Sequence, residues 1–173
     1  ITFLPQKREI AMPIRQILVP ISAGSDAYLV ISNAFNLAEH HKAHVTVINA
    51  LDWAPQFVTS DVYGSGAYYA EVIKALDDER RKSDKKLRQD FDTAVKKSGI
   101  AIADRAMQDA PTATFLESSD EKQPRWTFAC LCDLVIARRP ISLTTLDYDV
   151  AESALFDARR PILLLPPKGA HIE

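Results

Sequence analysis

Glycine is nearly absent from this chain: five in 173 residues, and none between Gly99 and Gly169. The glycine-free stretch still shows a strand–helix–strand pattern. Asp133-Leu134-Val135-Ile136-Ala137-Arg138-Arg139-Pro140 reads as a buried strand running into a turn, Leu146 to Ala158 as a helix, and Pro161-Ile162-Leu163-Leu164-Leu165-Pro166-Pro167 as a second apolar strand. In nucleotide-binding α/β domains, glycines in such a turn let backbone N–H groups approach the phosphates. Here the frame is present and the cradle is missing. Cysteine is as scarce, with Cys130 and Cys132 alone. Two residues apart in a predicted helix, they point in different directions and make poor disulfide partners. Packing on the sheet is preferred to a redox thiol pair, and a reducing, cytoplasmic setting is expected. Long apolar runs are missing too: none approaches the roughly 18–20 residues of a membrane span. Neither sign of charge dominates, with 21 basic against 23 acidic residues and a net charge of −2. No nucleic-acid or membrane partner is therefore expected. The stretch before Arg15 carries Lys7, Arg8 and Glu9 without a continuous apolar core, so a secretory signal is not expected, and Met12 would serve as a start.

What is present is a globular composition, 47% hydrophobic and 25% charged, enough for one core. Arg15 to Ile21 is a short β-branched run, the first strand. Ser22 to Asp26 is turn-like and supplies candidate helix caps. Tyr28 to His41 has helical spacing, with Val30, Ala34, Leu37 and Ala38 on one stripe, and His44 to Leu51 reads as the second strand. An aromatic loop from Asp52 to Tyr69 follows; its tyrosines, Phe57 and Trp53 suit either a partner surface or, preferably, a cover over the sheet edge. Ala67 to Ser98 reads as a long helix stopped by Gly99, with a charged middle, Asp77 to Lys86, expected to overhang the sheet in solvent. Ile100 to Pro111 is ambiguous, Thr112 to Glu117 reads as a strand, and Pro124 opens a helix to Leu131. Alternating buried strands and helices predict an α/β fold with a doubly wound, Rossmann-like open parallel sheet. The expected division is a flexible arm over 1–12, one domain over 13–168 and a tail over 169–173.

Ile17-Leu18-Val19-Pro20-Ile21, Asp133-Leu134-Val135-Ile136, and Val150-Ala151-Glu152 through Pro161-Ile162-Leu163-Leu164-Leu165-Pro166 resemble, in order and spacing, the opening, fourth and closing strand motifs of the universal stress protein family. The resemblance runs from Met12 to Pro167. The Arg138-Arg139-Pro140 and Ala154-to-Pro161 stretches most resemble a bacterial branch without the nucleotide motif. It implies five parallel strands in the order 3-2-1-4-5 and, in many members, a homodimer paired through the last strand. The family's ATP-binding branch has an Asp at the end of the first strand and a glycine-rich run ending in Gly-Ser or Gly-Thr after the fourth. Those positions fall here on Ser22, on Ala137 to Ile141 and on Tyr148-Asp149.

The candidate site follows from topology. Ligands of open α/β sheets bind at the carboxyl ends of the strands where the strand order reverses. The loops there are Ser22 to Asp26 and Ala137 to Leu143. Ser22, Gly24, Ser25 and the helix N-terminus are placed to receive an anion, with Arg138 and Arg139 adding charge. Against a nucleotide stand Tyr148, Asp149 and the missing glycines. The favoured expectation is no cofactor and an unfilled switch point with a surface arginine pair; ATP or AMP is the alternative. His40, His41 and His44 cluster near the first helix's end without a completing Cys or carboxylate, so a solvated helix terminus is expected and no metal. Gly64-Ser65-Gly66 does not form a nucleophile elbow, so no catalytic residue is assigned.

As a terminal strand, Ile162, Leu163, Leu164 and Leu165 would leave backbone groups unpaired. Pairing with a second copy across a two-fold axis satisfies them; the N-terminal arm folding over that edge is the alternative. The expectation is a non-enzymatic homodimeric binding or regulatory module of the stress-protein type, with room for an unidentified protein partner. The competing readings are a nucleotide-binding member, slowly hydrolytic or not, and an electron-transfer flavoprotein subunit.

Overall fold

The computed structural model describes residues 13–24, 26–52, 66–117, 129–143 and 145–166. The expected arm over 1–12, the tail, Ser25, most of the aromatic loop and the helix from Pro124 to Leu131 fall wholly or largely outside these residues.

Among the described residues six strands, not the five expected, build one sheet: β1 (Gln16–Ile21), β2 (His44–Asn49), β3 (Ala101–Ile102), β4 (Thr112–Leu116), β5 (Leu134–Arg138) and β6 (Ile162–Leu165). Their order is β3-β4-β2-β1-β5-β6, and every adjacent pair is parallel. The added strand is β3, two exposed residues on the edge beyond β4. So short and exposed a strand carries no alternating pattern, which is why 100–111 reads ambiguously.

Among the described residues, three α-helices cover the sheet: α1 (Ala27–His41), α2 (Gly66–Ser98) and α3 (Leu146–Phe156). Side chains alternate between the faces of a strand, so each β-branched run feeds two cores. Ile17, Val19, Val45, Val47 and Phe115 face α1 and α2, where Phe35 and Phe91 meet edge to face at 5.8 Å. Leu18, Ile48, Val135 and Ala137 face the other way, against Val150 and Ala154 of α3.

The helix ends explain the boundaries. Lys42, at φ 53, terminates α1, and the Ala43 amide donates to the Ala38 carbonyl. Gly99, at φ 75, terminates α2 with its amide on the Val95 carbonyl. The last helix stops at Phe156, short of Ala158. The charged middle of α2 is not wholly solvated: Ser83 is buried and Asn49, at the end of β2, holds both Asp84 (2.8 Å) and Ser83 (3.3 Å). Asp77 pairs with Arg80 at 3.6 Å rather than with Arg81. Among the described residues, no helix is long and apolar enough to cross a membrane.

Candidate functional site at the switch point

The chain reverses its winding between β1 and β5, and the loops leaving these strands lead into α1 and α3. The N-terminal end of a helix attracts anions through its free amides and its dipole. Both helices already supply the anion themselves. Asp26 occupies the N-cap of α1 but makes no side-chain capping bond. Its carboxylate is bound to Arg138 instead, Oδ1 to Nη1 at 2.7 Å. Asp147 lies in the first turn of α3 and faces the same guanidinium, Oδ2 to Nε at 3.4 Å.

Arg138 is the last residue of β5, so its strand aims it at this crevice. Besides the two carboxylates it donates from Nη2 to the Ser22 hydroxyl at 2.8 Å and to the Ser22 carbonyl at 3.4 Å. The side chains of Arg138, Asp26 and Asp147 are only 13%, 14% and 18% exposed. Gly24 makes room for this plug. A Cβ there would lie 3.1 Å from Nη1 of Arg138 and 3.3 Å from Oδ1 of Asp26. The glycine's close approach serves a guanidinium of the chain's own.

Of the expected site residues, then, Ser22, Gly24 and Arg138 come together, and Ser25 lies outside the described residues. Arg139 is exposed and does not join them; its amide donates to the Leu165 carbonyl at 2.7 Å. The surface arginine pair is thereby corrected: one arginine is enclosed and the other is free of the crevice. The sequence alone does not mark Asp26 and Asp147 as partners of Arg138. The signal was there, since an arginine ending one strand faces acidic residues opening two helices. Burial pushes the Asp147 carboxyl above its usual range; Arg138 pulls it back and Asp26 raises it further.

The histidines separate. His40 and His41 are exposed in the last turn of α1, whereas His44, past the left-handed turn at Lys42, starts β2 and is 3% exposed. Among the described residues, no group of three or more His, Cys, Asp or Glu side chains is arranged to hold a metal. Cys132 is buried, its Sγ 3.1 Å from the Ala129 carbonyl, and burial raises its thiol to about 11. Cys130 is half-buried, and neither cysteine is in a disulfide.

No protein-family model and no curated protein matches the sequence. Solved structures do. A universal stress protein from Archaeoglobus fulgidus aligns with 88% of this chain and 94% of its own at 16% identity and a TM-score of 0.50. The universal stress protein UspA from Lactobacillus plantarum aligns with 88% of this chain and 97% of its own, at 18% identity and a TM-score of 0.51. The chain has the universal stress protein fold, a Rossmann-like α/β sheet wound on both sides.

Proposed function

We propose that the chain is a non-catalytic, homodimeric binding or regulatory module of the stress-response type that does not hold ATP in the manner of the nucleotide-binding universal stress proteins. The observation that carries this is the Arg138 plug. A triphosphate at a switch point needs free helix amides, a close-lying backbone and net positive charge. This crevice offers two carboxylates and one guanidinium, a net charge of −1 from the groups that touch. Opening it would break a 2.7 Å ion pair and leave a largely enclosed carboxylate without its partner. With Arg138 held by the chain's own acids, the crevice works as a structural clasp between α1, β1, β5 and α3.

The homodimer rests on β6, which among the described residues is the last strand of the sheet on its side and pairs with β5 alone. Titration of the full chain with fluorescently labelled ATP and magnesium tests the nucleotide part. No saturable binding is expected at micromolar concentrations. A micromolar Kd would overturn it and favour the nucleotide-binding alternative.

A further inference from the structure

A parallel sheet covered on both faces ordinarily carries Val, Ile and Leu on both. One face here obeys: Ile17, Val45 and Ala113 form one row across the sheet and Val19, Val47 and Phe115 the next. The other face does not. Its first row is Gln16, His44 and Thr112; its second is Leu18, Thr46 and Thr114. Leu18 and its β5 neighbour Val135 are apolar, but on β2 and β4 this face becomes apolar only in the third row, with Ile48 beside Leu116. His44, Thr112 and Thr114 are buried, and buried polar groups call for partners.

Part of this set is satisfied internally. The Thr112 hydroxyl donates to the Arg105 carbonyl at 3.4 Å, so it accepts from His44 Nδ1 at 2.8 Å. That assigns the proton of His44 to Nδ1 and leaves Nε2 with a lone pair. Thr46 and Thr114 make no side-chain hydrogen bond among the described residues, and both line a cavity of about 330 Å³ together with His44 and Gln16. Leu18, Leu116, Leu131 and Cys132 are among its apolar lining, and Asp104 and Arg105, opposite in charge, also border it. The volume sits at the lower end of small-molecule sites, roughly 300–1,000 Å³. Its place, on the amino-terminal half of the sheet face, is away from the switch point.

We infer that this cavity is a binding site for a small uncharged ligand bearing an N–H donor beside a C=O acceptor, a primary amide or lactam, with the donor on His44 Nε2 and the acceptor on the Thr46 and Thr114 hydroxyls. The chemistry selects neutrality. Burial lowers the affinity of His44 for a proton, against a smaller opposing pull from Asp104, so the imidazole is neutral near pH 7. The Cys132 thiol stays protonated, the hydroxyls are uncharged, and Asp104 offsets Arg105. An anion or a cation would give up hydration here without a counter-charge in the floor.

Three probes sharing one ring decide the matter: benzamide, benzoate and benzylamine, each at millimolar concentration in ligand-observed saturation-transfer NMR with the full chain. Benzamide is expected to receive saturation and the two charged probes to receive little. In the Thr46→Val/Thr114→Val variant, which keeps shape and removes both hydroxyls, affinity for benzamide is expected to fall by about tenfold or more. Benzamide should also shift the His44 imidazole resonances in the unaltered protein, a readout that stands even if the double variant does not fold. Excess ATP should not compete. Equal binding of a charged probe, persistence of benzamide binding in the folded double variant, an unmoved His44 signal or no transfer to benzamide would each overturn the site.

Discussion

Asp26 and Asp147 share one guanidinium but are held unequally. Asp26 has a short, charge-assisted bond to Arg138, at 2.7 Å, and such bonds are the strong ones. Asp147 sits at 3.4 Å, and its burial outweighs what Arg138 returns. A carboxyl raised in the folded state takes up a proton more readily folded than unfolded. Stability therefore falls as pH rises from the ordinary carboxylate range through the raised value. Asp147→Asn should flatten that part of a stability–pH profile and leave the protein at least as stable at pH 7. Asp26→Asn should cost about 1–3 kcal/mol, because it strands the better-bound side of the pair. Thermal melts of the two variants across pH check the ranking, and a larger loss for Asp147→Asn would sink it. Cys132 gives a second residue-scale test. With its thiol near 11, its thiolate population at neutral pH is roughly a hundredfold or more below that of an ordinary cysteine. In a Cys130→Ser background, native Cys132 should react with a disulfide reagent at least that much more slowly than after denaturation. The same raised value means that Cys132 favours the folded state below the ordinary thiol range and that this contribution is lost as pH climbs toward 11.

At the scale of elements, two helix ends make opposite predictions from the same backbone region. Lys42 and Gly99 both sit at positive φ, 53 and 75. An L side chain in that region costs about 1 kcal/mol, and glycine avoids the cost. Lys42→Gly should therefore stabilise by about 0.5–1 kcal/mol, since the Lys42–Asp109 pair it removes is 3.8 Å long and exposed. Gly99→Ala should destabilise by about 1 kcal/mol, with the backbone alone responsible, because nothing lies within 4 Å of the added Cβ. Chemical denaturation of both variants reads the two signs. Elements were legible in the sequence where burial imposed a period. The apolar runs of β1, β2, β5 and β6 stand out, as does the stripe of α1. The structure shortens the last strand and helix by a residue or two at their ends, where the chain turns. What was not legible came from partners distant in sequence. Asp84 reads as one more charge in a solvated run until Asn49 is seen 2.8 Å away. Arg138 reads as a surface arginine until the fold brings Asp26 and Asp147 around it. His44 reads as the third of a histidine group until Lys42 turns the chain and inserts it beside Gln16 and Thr112. The alternating polar positions of HVTVIN and TATFL carry the same message twice, and only the parallel register shows that they meet.

For the whole molecule, the open question is the edge at β6. Its inner side is bonded to β5 from Val135↔Ile162 to Arg138↔Leu165; among the described residues no strand pairs with its outer side, and such an edge invites another strand. Leu165 is buried, whereas Leu164 is 40% exposed, so a partner strand has an apolar side chain to cover. The neighbouring helix α3, which packs on β6, leaves Leu155 46% and Phe156 72% exposed, extending the apolar surface beside that edge. A self-complementary, two-fold pairing of β6 with β6 would satisfy the backbone and cover these groups together. Light scattering of the unaltered chain at micromolar concentration should then report a dimer. Leu164→Lys should convert it to a monomer that keeps its circular-dichroism spectrum, since a charge at a half-exposed edge position disfavours strand addition more than it disturbs the core. The melting temperature of the unaltered chain should rise with protein concentration, and that of the variant should not, because association stabilises only the folded state. A monomer in the unaltered chain would remove the dimer from the proposed function. A dimer that survives Leu164→Lys would move the interface elsewhere, and the Arg138 clasp would be unaffected by either result.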